Sequence, residues 1–88
     1  KILLHAVFPR NEKATHENRK KIKDINAAIA RSDDGGKTVK FVDFSDKLLQ
    51  PDGTLTRDIM PDFLHPGEKG YRIWADAIQA PLADLLKP

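Results

Sequence analysis

The apolar block near the start of the chain, Ile2-Leu3-Leu4-His5-Ala6-Val7-Phe8, constrains the fold more than any other feature. Its apolar residues are nearly continuous rather than alternating, which suits a strand covered on both faces in a parallel sheet. Pro9 ends any hydrogen-bonded ladder at that point. Such a strand needs a neighbour and two covering layers, and the following sequence offers them in order. With no methionine and no lead-in before Lys1, the chain reads as beginning inside a domain.

A polar loop, Arg10 to Thr15, precedes a helix predicted from about Thr15 to Arg31, with Thr15 as N-cap and Glu17 in the first turn. Asn18, Ile22, Ile25 and Ile29 recur at helical spacing, while Arg19, Lys20, Lys23 and Asp24 fall on the other side. The run Asn18-Arg19-Lys20-Lys21-Ile22-Lys23 reads as a solvated helix face rather than a phosphate or membrane patch. The pair Gly35-Gly36 stops the helix. A second strand is predicted over Thr38–Phe44, so the order strand–helix–strand fits one right-handed parallel crossover. Then comes a long excursion, Ser45 to Met60, with a turn packing Leu48 and Leu49 and a tight turn at Pro51-Asp52-Gly53. A last helix is expected from Pro66, burying Tyr71, Trp74, Ala75, Ile78, Leu82 and Leu85, with Pro81 kinking or dividing it.

Bulk properties narrow the function classes. With 88 residues, the chain is at most one small domain, near the size at which a lone core becomes marginal. Fifteen basic against 13 acidic residues leave a net charge of +2, too even a balance to argue for a nucleic-acid partner. There is no cysteine, so disulfides and thiolate metal sites are excluded. No apolar run approaches the roughly 20 residues a membrane helix needs. Three scattered histidines at 5, 16 and 65 do not form a metal-binding pattern.

One pair remains with chemistry in it. Asp62 stands three residues before His65, between Pro61 and Pro66, on the loop entering the last helix. A carboxylate on one imidazole nitrogen fixes the tautomer, leaving the other nitrogen to take a proton from a nucleophile. The spacing alone leaves two readings open, because the chain holds ten aspartates. Either the two form an acid–base pair, or His65 caps the helix and Asp62 is merely solvated.

The longer string is more specific. Asp52-Gly53, Leu55, Met60-Pro61-Asp62, Leu64-His65-Pro66, Gly70-Tyr71 and Trp74-Ala75 together resemble the C-terminal signature of the SGNH hydrolases, the GDSL esterases and lipases. The string is similar to bacterial acetylesterase-like members and to platelet-activating-factor acetylhydrolase catalytic subunits. His5 to Arg10, "HAVFPR", also resembles the strand and loop those relatives carry upstream.

The resemblance implies an α/β fold, a three-layer α/β/α sandwich on a five-stranded parallel sheet, flavodoxin-like in its layering. Residues 1–88 would be the C-terminal portion of a single such domain, its last two strands and their helices. It implies hydrolysis of a small-molecule carboxylic ester, acetyl esters above all, through a serine acyl-enzyme, with no metal or organic cofactor. His65 would be the general base and Asp62 its orienting carboxylate. The family's Gly-Asp-Ser nucleophile motif and its Gly-x-Asn oxyanion motif do not occur in these residues. The only serines are Ser32 and Ser45, and neither sits in a strained glycine turn. The chain alone would therefore be inactive and would need an N-terminal companion segment of the same domain.

A second reading belongs to another class: a noncatalytic α/β interaction module that self-associates, as a homo-oligomer, through an exposed strand edge. The remaining residues take ordinary roles in both readings. His5 is expected in the core or at the sheet end, His16 in solvent, and Arg10 on the surface near the end of the first strand. Any export signal would precede Lys1, so the compartment is not written in these residues.

Overall fold

Two four-residue strands pair in parallel, β1 (Ile2–His5) with β2 (Val39–Val42), in the register Ile2 opposite Val39 through His5 opposite Val42. The computed structural model describes residues 1–88. Between the strands runs α1 (Glu17–Ile29), extended by a 3-10 turn, Ala30–Ser32. A second 3-10 turn, Ser45–Leu48, follows β2, and the chain ends in α2 (Glu68–Leu86). The strand–helix–strand–helix order is that expected of an α/β chain.

Alternation along the strands assigns the two faces. His5 meets Trp74 of α2 edge to face, with ring centroids 5.2 Å apart. Phe41 and Asp43 instead line a cavity of about 780 Å³ beneath α1, with Ile22, Asn26 and Leu49. Successive strand side chains point to opposite faces, so α1 and α2 lie on opposite sides of the sheet, α2 packed against it and α1 set off from it by the cavity.

The core lies off the sheet. Leu48, Leu55 and Met60 are completely enclosed, and Phe44 and Ile59 nearly so, with Phe8, Ile73 and Trp74 packed against them. The excursion Ser45–Met60 is therefore the best-buried part of the molecule. Irregular backbone can be buried only if its polar groups are paired. Here Gln50 N–H bonds Thr54 O, Leu55 N–H bonds Glu12 O, and Met60 N–H bonds Thr56 O.

Both helices begin later than the sequence predicts. His16, not Thr15, caps α1, its Nδ1 accepting from Asn18 N–H at 3.1 Å. Helix α2 starts at Glu68 rather than Pro66, because Gly67 N–H is held by Ile59 O at 2.9 Å. Pro81 does not divide α2. A proline removes one intrahelical bond, and the turns on either side here remain helical.

The buried stripes also differ from those expected. Ile25 is half exposed, and the one buried residue of α1 is Asn26, whose amide donates to Val7 O at 3.0 Å and accepts from Val7 N–H at 2.8 Å. Asn26 thereby serves the two backbone groups that follow β1 on its outer side. On α2, Tyr71 and Leu82 are largely exposed, while Ile73, Trp74, Ala77 and Ile78 face the core.

The two strand edges are unlike. On β2, Phe41 N–H donates to Asp33 Oδ2 at 2.7 Å and Val39 N–H to Asp34 Oδ1 at 3.0 Å. Val39 O accepts from Asp34 N–H and Gly36 N–H. Gly35 and Gly36, with φ of 79° and 88°, let this loop double back along the strand. On β1, the backbone groups of Leu3 and His5 point away from β2, with no strand beside them.

Candidate active site

The Asp62–His65 loop hangs from the core. Its base is the pair Ile59-Met60: Ile59 O accepts from Gly67 N–H, and Met60 O accepts from Phe63 N–H, both at 2.9 Å. Gly70 lies against the same carbonyl, and a Cβ there would stand 2.6 Å from Ile59 O. Between these anchors Phe63 takes a left-handed conformation, φ 58°, unusual for an aromatic residue. The Arg57 guanidinium lies 4.7 Å from the Phe63 ring centroid and donates to Pro61 O at 3.2 Å.

The turn at Phe63 folds the loop onto Asp62. Asp62 Oδ1 accepts from Leu64 N–H at 3.0 Å and from His65 N–H at 2.7 Å. Its other oxygen, Oδ2, lies 2.6 Å from His65 Nδ1. One carboxylate thus builds the turn and holds the ring. The bond from the His65 ring and then that from the His65 amide push the Asp62 carboxyl well below the usual carboxylate range. With an ionised acceptor at Nδ1, the ring proton sits there and Nε2 carries the free lone pair. His65 Nε2 makes no hydrogen bond within the chain, and the His65 side chain is 73% exposed.

Helix α2 is capped by Gly67 with no side-chain bond, so His65 is not a helix cap. Asp62, although half exposed, is engaged through both oxygens. The arrangement can hold one tautomer, stabilise an imidazolium, and present a basic nitrogen outward.

The other weighed residues fall elsewhere. Ser45 donates its hydroxyl to Asp43 Oδ1 at 2.6 Å, beside the cavity under α1 that neither Asp62 nor His65 lines. His5 stacks on Phe8 at 5.1 Å in the aromatic cluster with Trp74. Arg10 is exposed, and His16 caps α1. No three histidine, cysteine or carboxylate side chains converge as metal ligands. No helix is long and apolar enough to cross a membrane.

Sequence reasoning missed the residues that support the loop. Asn11, also left-handed with φ 68°, donates its N–H to Phe63 O at 2.9 Å. Arg19 turns inward from the supposed solvated face. Its Nε donates to Arg10 O at 2.8 Å and Nη1 to Gly53 O at 2.8 Å, while Nη2 reaches Asn11 O at 3.0 Å and Glu12 O at 3.3 Å. Nothing in the run of basic residues distinguishes Arg19 from its lysine neighbours, except that only arginine carries a planar fork.

Comparison with known proteins matches this picture. The model of the GDSL-like lipase/acylhydrolase family matches residues 1–73, a span that includes both Asp62 and His65. A solved structure from Streptococcus pneumonia, provisionally described as a platelet activating factor, is similar to this chain with a TM-score of 0.78 and 25% identity. The similarity covers 93% of this chain and 41% of that one, so the chain spans well under half the length of the structure it matches. No curated protein matches the chain. Two parallel strands with helices on both faces, the fold of that neighbour and a family model covering most of the sequence lead to one conclusion: the chain belongs to the GDSL-like lipase/acylhydrolase family.

Proposed function

We propose that residues 1–88 are the C-terminal portion of a single hydrolase domain and supply the acid–base half of a serine esterase, with Asp62 and His65 as two members of the triad. The observation that carries this reading is the 2.6 Å contact between Asp62 Oδ2 and His65 Nδ1, made by a carboxylate that also accepts the His65 amide. Family membership supports ester hydrolysis as the reaction. The nucleophile and oxyanion donors would come from a serine-bearing segment outside these residues.

In that mechanism His65 Nε2 takes the serine hydroxyl proton as the oxygen attacks the ester carbonyl. Asp62 stabilises the imidazolium that forms. The imidazolium then protonates the leaving alcohol, and an acyl-serine remains. Water attacks that acyl group with His65 again as base, releasing the acid and restoring the serine. The substrate is a small carboxylic ester, with acetyl esters as the first to try. Joined to or complemented by the serine-bearing segment, His65→Ala should lower acetyl-ester turnover on the order of 10³-fold or more. Turnover within a few-fold of the unmutated enzyme would remove His65 from the mechanism.

A second reading, a self-associating module, draws on the outward-facing backbone groups of Leu3 and His5 on β1. It predicts a cooperatively unfolding homodimer of the 9.9 kDa chain in solution. A mass measurement showing a monomer at all accessible concentrations would eliminate it.

A further inference from the structure

We propose that Arg19 and Asn11 are positioning residues for the Asp62–His65 pair, acting through a relay of two peptide groups; the proposal rests on the acid–base reading above. The relay can be followed atom by atom. Arg19 Nε donates to the carbonyl of Arg10 at 2.8 Å. That carbonyl belongs to the same peptide group as Asn11 N–H, which donates to Phe63 O at 2.9 Å. Phe63 O in turn shares a peptide group with Leu64 N–H, which donates to Asp62 Oδ1 at 3.0 Å. The second oxygen of Asp62 holds His65 Nδ1 at 2.6 Å.

Each peptide group is planar and stiff, so fixing its carbonyl fixes the direction of its N–H. The orientation set by the Arg19 fork on α1 is therefore carried to the catalytic carboxylate across two loops distant in sequence. The relay also has a sense. A guanidinium stands at one end and a carboxylate at the other, and every N–H between them points toward the carboxylate. Hydrogen bonds aligned in this way polarise one another, and both peptide dipoles favour the ionised Asp62.

The left-handed backbone at both relay residues supports this assignment. Asn11 and Phe63 are the only non-glycine residues with positive φ, at 68° and 58°. That conformation is costly for most side chains and persists only where surrounding contacts hold it. Asn11 is held twice more, its side-chain oxygen accepting from Asn18 Nδ2 at 3.0 Å and its carbonyl from Arg19 Nη2 at 3.0 Å. Both of the strained positions lie in the relay. Lysine at position 19 could reach one of these carbonyls as a point charge but could not serve the set, since it lacks the fork.

The test uses the chain joined to or complemented by the serine-bearing segment, with residues 1–88 isotope-labelled and no ester present. Two signals are read: the exchange rates of the Asn11 and Leu64 amides relative to that of Gly67, and the His65 Nδ1–H proton resonance. Gly67 N–H is the control because it is held by Ile59 O, outside the relay. In Arg19→Met the Asn11 and Leu64 amides should exchange about tenfold faster or more relative to Gly67, and the His65 Nδ1–H resonance should weaken as in Asp62→Asn. Arg19→Lys should recover part of both signals, and Asn11→Gly, which tolerates positive φ, should retain both. A role in folding alone would lower the melting temperature but leave the exchange ratios and the His65 resonance unchanged, and that result overturns the proposal. If Arg19→Met does not fold, Asn11→Ala is read in its place, and unchanged signals there overturn the proposal equally. Because no turnover is measured, failure of the relay and failure of His65 as a base are seen in separate experiments.

Discussion

Gly70→Ala is the sharpest test of how the site loop is attached. Alanine in place of glycine inside a helix ordinarily stabilises by about 0.5–1 kcal/mol. Position 70 should reverse that sign. Gly70 is buried in the first turn of α2, and a Cβ added there would meet Ile59 O at 2.6 Å and Pro66 Cβ at 3.0 Å, where ordinary contact begins at 3.4 Å. The carbonyl cannot retreat freely, because it accepts Gly67 N–H at 2.9 Å and Ile59 is 4% exposed against the fully enclosed Met60. Forcing a methyl group into such a contact costs about 1–3 kcal/mol. Weakening the Gly67–Ile59 bond adds about 1 kcal/mol. After the helix-propensity gain is set against these, a net loss of about 1–3 kcal/mol remains, or roughly 5–20 °C in melting temperature for a domain of this size. Thermal unfolding followed by circular dichroism measures it, with the exposed Gln79→Ala as a helix control expected within about 0.5 kcal/mol of the parent. A melting temperature for Gly70→Ala equal to or above the parent's would refute the close approach and, with it, the account of how the loop is fixed.

Three further outcomes are expected. Met60→Ala should cost about 2–5 kcal/mol in denaturant unfolding, since Met60 is fully enclosed at the base of the site loop; a loss under about 1 kcal/mol would mean the excursion is not the core. Asn26→Ala should cost about 1–3 kcal/mol by stranding Val7 N–H and Val7 O, and should speed exchange of the Val7 amide above all others; an unchanged Val7 amide would contradict the bridging amide. The carboxyl of Asp62, held low by the His65 ring and then the His65 amide, contributes stability that is fully present above the unfolded value of about 3.9 and is lost as pH falls through the lower folded value. A side-chain carbon titration by NMR should therefore place the Asp62 midpoint clearly below that of a free aspartate, and a midpoint at the free value would deny the bonds drawn to it.

What the sequence showed and what it hid divide along physical lines. Strand, helix, strand and helix were legible because apolar patterning and the stops at Pro9 and Gly35-Gly36 are local. The pairing of Asp62 with His65 was legible because the contact spans three residues. The strands proved shorter than their apolar blocks. β1 gives way where Asn26 takes over the backbone groups of Val7, and β2 gives way where Asp43 bends back to accept from Ser45 N–H. The start of α2 was displaced by a single bond across the site loop, Gly67 N–H to Ile59 O, and that of α1 by the His16 ring taking the cap one residue beyond Thr15. The burial of Leu48, Leu55, Ile59 and Met60 has neither period 2 nor period 3.6, so it looked like an excursion. Arg19 and Asn11 were hidden for the same reason: their partners are backbone carbonyls and amides, and backbone leaves no trace in residue types.

The unlike edges of the sheet have a consequence for crowded conditions. An open edge on each side would let chains stack without end, the route by which sheets grow into fibres. Here Asp33 and Asp34 occupy the outward N–H groups of Phe41 and Val39, and the Asp34 and Gly36 amides take the Val39 carbonyl, so the β2 edge is covered by its own loop and β1 is the edge left to pair. Any strand that joins must do so beside β1, and two chains that meet there use up the only free valence each has. Growth by strand addition then stops at that first pairing.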